Sequence, residues 1–320
     1  ALYLRIMFMG MVPNMVYNVG SAILRAMGDS KRPLYFLIVA CLSNVVLDLV
    51  FVLVFKMGIA GVAIASILAQ AISAVMVVMS LSAESMEYRF RFRQMRFEGD
   101  ILSRTIRIGL PAGFQSIMYS LSNMLIQASV NRFGTDTVAS WVVLGKVDGI
   151  NWMILGALGI ASMTFVGQNY GAGRLDRIQK SLKLSLLIGL CISIVFGGAL
   201  LLFGWPLFGL FTSDDTVLAM SMQLLWYFAP FYWLFVPIEV ISGALRGMGD
   251  TLIPTIITAT GICVFRVAWI YTVVPLHNSM FTVSLSYPIS WVLTAIAFAI
   301  YYMIARKKLI ANAPKPRTAE

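Results

Sequence analysis

One ten-residue stretch occurs twice in this chain. Residues 24–33 read LRAMGDSKRP and residues 245–254 read LRGMGDTLIP, with Leu, Arg, Met, Gly, Asp and Pro in register and Ser30 answered by Thr251. Each copy follows an apolar run long enough to cross a bilayer and precedes another. The repeated unit is therefore a hairpin of two spanning helices, used twice at a separation of 221 residues. Such a repeat predicts a membrane transporter built from two related halves around a central path.

Composition agrees with the membrane assignment. Of 320 residues, 59% are hydrophobic and 12% charged, too little polar surface for a soluble domain. The apolar residues come in blocks of about 20, the length that spans about 30 Å of hydrocarbon, so an all-α polytopic protein is expected rather than a β-barrel. Nine transmembrane helices are predicted, at 1–24, 34–55, 58–81, 106–132, 137–168, 181–208, 217–246, 252–275 and 279–305. Cys41, Cys191 and Cys263 all fall in apolar runs with no disulfide or zinc spacing, and are expected to be buried small side chains.

The net charge of +10 does not imply nucleic acid, because the basic residues sit between spans. Arg25, Lys31 and Arg32 follow the first span, Arg89, Arg91, Arg93 and Arg96 the third, Arg174, Arg177, Lys180 and Lys183 the fifth, and Arg306, Lys307 and Lys308 the last. By the positive-inside rule these connections are cytoplasmic. The tail APKPRTAE is then cytoplasmic and expected to be disordered. The alternating aromatic and basic residues of 88–93 suit a segment lying on anionic lipid.

The expected organisation is 1–83 as the C-terminal half of a first lobe (its helices four to six), 84–105 as a cytoplasmic linker, 106–308 as a second lobe of six helices, and 309–320 as the cytoplasmic tail. The duplicated hairpin is the fourth and fifth span of the second lobe but opens the first. By analogy three further spans are expected before Ala1, giving a twelve-helix, 6+6 pseudo-symmetric plan.

Ionisable groups inside spans are the candidate functional residues. An ionised carboxylate at the bilayer centre costs about 2.5–3.5 kcal/mol even on lenient scales, so Asp48 must face protein or water. Asn44 lies four residues earlier on the same helix face, and Asn18 and Ser66 offer two more oxygens. A hard cation needs several oxygens and a proton needs one basic carboxylate, so these four residues are the candidate Na⁺ or H⁺ site. A buried Asp–Asn pair serving helix packing is the alternative. A second polar cluster comprises Glu239, the repeat counterpart of Asn18, with Arg266, Lys146 and Asp148. Two readings of it stay open: substrate binding or proton coupling, and static salt bridges that align helices. Arg5 reads as a snorkelling side chain. Most aromatics, including the run 228–235, read as packing or lipid contacts, while a few could line a cavity that attracts organic cations.

The paired LR-x-MGD-[ST] stretches, the GLPA of 109–112, the NVVLD of 44–48 and the VGQNYGAGRLDR of 166–177 resemble the multidrug and toxic compound extrusion family. The resemblance covers residues 1 to about 308. It implies a twelve-helix secondary antiporter of the cell (inner) membrane that exports organic, often cationic compounds in exchange for Na⁺ or H⁺ by alternating access. With one His, no nucleophile–base or metal-ligand spacing and no nucleotide-binding motif, neither an enzyme nor ATP is expected, no cofactor is expected beyond the coupling ion, and the protein is expected to be a monomer. In members with the coupling site in the first half, an Asn, an Asn-x-x-x-Asp and a Thr are joined by an Asp from the first helix. Asn18, Asn44 and Asp48 match, Ser66 stands where Thr is usual, and the further Asp would precede Ala1. Gln115, Ser116 and Tyr119 occupy the stretch where other members carry an acid. The alternatives are a lipid-linked oligosaccharide flippase of the same broad fold, and a truncated transporter remnant.

Overall fold

The computed structural model describes residues 2–83, 90–94, 96 and 98–311, with side chains described for all of these except 2–5, 92 and 308–311. The side chains of Arg5 and Lys308, residues Tyr88 and Arg89, and the tail from 313 lie outside this set. The described residues are helices and their connections. They form two compact units, 1–98 and 99–320.

The first unit holds three spans: α1 (Ile6–Ala26), α2 (Lys31–Val54) and α3 (Gly58–Ser82). Both α1 and α2 pack on α3. In lipid there is no hydrophobic force to drive helices together, so close approach between small residues does the work. A methyl group added at Gly20 of α1 would lie 2.8 Å from Val77 of α3, and one at Gly10 would lie 2.9 Å from Ile67. The facing surface of α3 is built of Ala63, Ala65, Ala69, Ser73 and Ala74, all buried. The Tyr17 hydroxyl donates to the Pro33 carbonyl at 2.9 Å and ties α1 to the start of α2. The last five residues of α2, Val50–Val54, widen into a π-helical turn.

The second unit holds six helices: α4 (Gly99–Val130), α5 (Thr135–Gly171), α6 (Leu175–Gly209), α7 (Asp215–Gly247), α8 (Leu252–Thr272) and α9 (Met280–Ala311). Helix α4 begins at Gly99, within the stretch expected to be linker. Eight of the nine helices are long and apolar enough to cross a membrane by length and composition. The ninth is α4, whose 32 residues reach about 48 Å at 1.5 Å per residue but carry many polar side chains.

Helix α7 is the centre of this unit and α5 is its closest neighbour. The Gly243 Cα faces the Gly159 carbonyl so closely that a methyl group there would overlap it, and one at Gly247 would lie 2.5 Å from the Met163 carbonyl oxygen. Gly189 and Gly197 of α6 meet Val236 and the Ala229 carbonyl of α7 in the same way. Around this backbone contact sit the fully buried Trp291, Tyr232, Phe208 and Phe298. Pro230 and Pro237 explain the tighter 3₁₀ segment Ala229–Phe235 in the middle of α7. Pro237 has no N–H for the Trp233 carbonyl, and the Val236 N–H takes that acceptor instead.

Both copies of the repeated stretch end their helix identically. Gly28 and Gly249 have φ of 91° and 90°. The Asp29 N–H reaches the Leu24 carbonyl at 2.9 Å and the Asp250 N–H reaches the Leu245 carbonyl at 3.0 Å, while each Gly N–H returns to the carbonyl of Arg25 or Arg246 at 3.0 Å. This is the Schellman C-cap, in which glycine takes the left-handed position at no steric cost. Gly173, with φ of 69°, closes α5 by the same pair of bonds, which makes the 166–177 motif a tight turn. The aspartates differ. Asp29 caps α2 by accepting from the Lys31 and Arg32 N–H groups at 3.1 Å, whereas Asp250 accepts from the Tyr301 hydroxyl of α9. The cysteines depart from expectation: Cys263 is buried, but Cys41 and Cys191 are exposed on outward helix faces.

Candidate functional site

Asn44 and Asp48 lie half-buried on one face of α2, just before its π-helical turn. Asn44 Nδ2 and Asp48 Oδ1 are both shielded from solvent and neither has a hydrogen-bond partner. Such orphaned buried groups are rare in finished cores. Ser66 is half-buried on α3, and Asn18 lies exposed on α1, where its amide donates to the Asn14 carbonyl at 2.9 Å and to the Asn14 side-chain oxygen. No hydrogen bond joins any two of these four residues.

The second unit contains a cavity of about 480 Å³. Helix α4 contributes Tyr119, Asn123 and Gln127, α5 contributes Trp141, Asp148 and Trp152, α7 contributes Phe228, Phe235 and Glu239, and α8 and α9 contribute Arg266 and Tyr287. Three of the four residues expected to cluster, Asp148, Glu239 and Arg266, thus share one cavity. Lys146 does not. It is exposed, with its ammonium 5.2 Å from the centre of the Phe211 ring. Residues two apart on a helix point to nearly opposite sides, so Lys146 and Asp148 could not both face inward.

The charged groups in the cavity are not paired with one another. No ion pair joins Asp148, Glu239, Arg266 or Lys146 to any described residue. Of the two readings left open, static salt bridges find no ion pair among the described residues. Asp148 Oδ2 accepts from Trp152 Nε1 at 2.8 Å. The buried Tyr232 hydroxyl faces the Asp148 carboxyl, just outside ordinary hydrogen-bond geometry. Glu239 lies against Gly159, and a methyl group there would come 2.6 Å from Glu239 Oε2. Arg266 is 5% exposed; its Nε donates to Ser290 Oγ at 3.0 Å and its guanidinium stacks 3.8 Å from the centre of the Tyr287 ring.

The remaining walls are aromatic. Trp152 meets Phe235 at 4.8 Å and Trp291 at 5.7 Å, Phe228 meets Tyr287 at 5.1 Å, and Trp141 meets both Phe228 and Tyr287 edge to face. Sequence reasoning assigned no role to Tyr119, Asn123 and Gln127. The signal was present, since Gln115, Tyr119, Asn123 and Gln127 recur every fourth residue and so form one polar row along α4. Gln115, at one end of that stripe, accepts from Arg246 Nη2 at 2.7 Å. This bond fixes α4 against the Arg of the second repeat copy.

The MatE family model matches residues 1–50 and 111–272, more than half of the chain. The chain belongs to the MatE family. Two Bacillus subtilis (strain 168) relatives, described as the probable multidrug resistance proteins YoeA and YpnP, are 27% and 29% identical to it. Each alignment takes in 96% of this chain and 68% of the relative, so the chain spans about two thirds of their length. A solved MATE structure in a straight conformation superposes with a TM-score of 0.89 at 20% identity, covering 97% of this chain and 70% of that one. At that identity the likeness speaks for the fold. As a member of the MatE family the chain is a multi-pass membrane transporter, not an enzyme, and the work of its polar sites is binding and release.

Proposed function

We propose that the chain exports organic, often cationic compounds in exchange for Na⁺ or H⁺ by alternating access. The observation that carries this reading is the aromatic cavity of the second unit, in which Asp148 and Glu239 present carboxyl groups with no protein cation within ion-pairing distance. Each aromatic face can attract a cation by about 0.5–2 kcal/mol, and the carboxylates add attraction over a longer range. Broad ring faces impose little hydrogen-bond geometry, which suits substrates of varied shape. The multidrug resistance descriptions of the relatives agree with this reading.

Coupling is assigned to the first unit. Asp48 Oδ1 and Asn44 Nδ2 lie unsatisfied on one helix face. A cation entering from outside would neutralise Asp48 and shift the balance between two conformations, with Asn18 and Ser66 as further oxygen donors. One charge moved inward across 100 mV is worth about 2.3 kcal/mol, enough for roughly a fiftyfold gradient of a neutral compound. The protein would act as a monomer in the cell membrane with the basic connections in the cytoplasm.

The test is ethidium efflux from an efflux-deficient bacterium after a Na⁺ or acid jump, for the parent, Asp48→Asn and Asp148→Asn at equal expression. Efflux that falls at least about tenfold in Asp48→Asn supports coupling at that carboxylate. Undiminished efflux in that variant moves the coupling site elsewhere, first to Glu239. A well-folded parent that moves none of several dyes with either ion overturns the export reading.

A further inference from the structure

Two adjoining cavities border the first half of α4. One, of about 700 Å³, lies near the helix start and is lined by Arg104, Arg107 and residues 249–252, which join α7 to α8. The other, of about 920 Å³, runs on between Gly109, Gly113 and Phe114 of α4 and Leu252 and Ile256 of α8. Ile106, Leu110, Pro111 and Leu252 border both, so the two form one groove, charged at its mouth and apolar beyond. Gly109 and Gly113 fall on one helix face, and open space stands where the Cβ of either would be. They leave a furrow flanked by Ile106, Leu110 and Ile117, each more than half exposed. The two threonines on the furrow offer it no free polar group. The Thr105 hydroxyl donates to the Ile101 carbonyl at 2.9 Å, and the Thr255 hydroxyl is shielded from solvent. At the mouth, Arg104 and Arg107 are three residues apart on one face, exposed, and without an ion pair to any described residue. One acid stands beside them, Asp250, which accepts from the Tyr301 hydroxyl. Two guanidinium charges against one carboxylate leave one positive charge in excess.

We infer that this groove seats one anionic phospholipid, with its phosphate on Arg104 and Arg107 and an acyl chain along Gly109 and Gly113. The dimensions fit one leaflet. Ten residues separate Arg107 from Ile117, about 15 Å at 1.5 Å per residue, which is half of a hydrocarbon core about 30 Å thick. Guanidinium groups present planar N–H forks that match phosphate oxygens, and the excess positive charge selects a headgroup of net negative charge. The lipid also supplies a packing partner that the protein lacks there, since residues 101–110 of α4 are all exposed. The inference stands apart from the export reading, because neither cavity shares a lining residue with the aromatic one.

Native mass spectrometry of the purified full chain in detergent tests this, with dioleoyl phosphatidylglycerol and dioleoyl phosphatidylethanolamine as probes. The two lipids share their chains and phosphate and differ in net charge. The parent is expected to retain one phosphatidylglycerol at least about tenfold more tightly than phosphatidylethanolamine, the scale of one charge-assisted bond. In the double variant Arg104→Gln, Arg107→Gln that preference should shrink to within about twofold. Gly113→Leu puts a side chain into the open furrow and keeps both arginines, so it should weaken both lipids by about tenfold. Lys180→Gln with Lys183→Gln removes two charges of α6 that border neither cavity, and should leave both affinities within about twofold of the parent. A parent that holds both lipids equally overturns the inference, and that comparison needs no variant to fold. Equal losses in the α4 and α6 double variants also overturn it, since the attraction would then be general to basic surface. So does displacement of phosphatidylglycerol by inorganic phosphate at equal concentration, because the mouth would then be a seat for a free anion. Unchanged lipid binding in Gly113→Leu would mean that another part of the protein fills the furrow, and overturns it as well.

Discussion

The guanidinium carbon of Arg266 lies 3.8 Å from the centre of the Tyr287 ring, and no carboxylate takes the place of that ring. The buried arginine of α8 is held by a π-face of α9 and one serine hydroxyl rather than by an ion pair. A stacked guanidinium that is cut off from water gains about 2 kcal/mol from the ring. Replacing Tyr287 with Leu should therefore lower stability by about that amount, whereas Tyr287→Phe, which keeps the ring, should cost less than about 1 kcal/mol. The midpoint of thermal unfolding in detergent, followed by size-exclusion fluorescence, separates the two. Equal loss in both variants would mean that the hydroxyl, and not the ring, supports Arg266.

Gly243 should tolerate no side chain. A methyl group there would overlap the Gly159 carbonyl, which belongs to the backbone of α5 and cannot swing aside. Gly243→Ala should cost about 1–3 kcal/mol by overpacking. The control is Gly198, within α6, which has open space where its Cβ would stand. Gly198→Ala should be neutral or gain up to about 1 kcal/mol from helix propensity. Melting midpoints of the two purified variants make the comparison.

The two aspartates of the repeat should respond differently to mutation at their partners. Tyr301→Phe removes the hydroxyl bonded to Asp250, and a hydrogen bond to a charged group of this kind contributes about 1.5–3 kcal/mol at most. Asp29→Ala instead removes a helix cap, at about 1 kcal/mol. A Tyr301→Phe variant that melts with the parent would show that the Asp250 bond adds nothing to stability.

Lys146 should be dispensable for dye binding although it sits two residues from Asp148. Its ammonium lies over the Phe211 ring on the outer side of α5. Lys146→Ala should leave ethidium binding within about twofold of the parent, while Asp148→Asn should weaken it about tenfold or more by removing a cavity carboxylate. A fall in both variants by the same factor would place Lys146 in the cavity after all.

Much of this could be read from the residues in order. The glycine in each LR-x-MGD stretch marks a left-handed helix end, and both turns close with the same two hydrogen bonds. The position of Lys146 was legible too, since helical periodicity places it opposite Asp148. The polar stripe on α4 could have been found by the same count of four. What periodicity could not reveal is the partner across a helix boundary. Nothing near Asp250 in sequence announces Tyr301, 51 residues on, and nothing near Arg266 announces Tyr287 and Ser290.

The sequence by itself determined the membrane class, most of the spans and the turns that close the two repeated stretches. Those properties depend on composition and on bonds between residues a few positions apart. Tertiary structure alone decided that Asp148, Glu239 and Arg266 share a cavity, and that Arg266 is stacked rather than ion-paired. Those outcomes depend on how closely α5, α7, α8 and α9 approach. That approach is set by the glycines where backbones touch and by the bulk of the aromatic rings between them, both of which act across long stretches of chain.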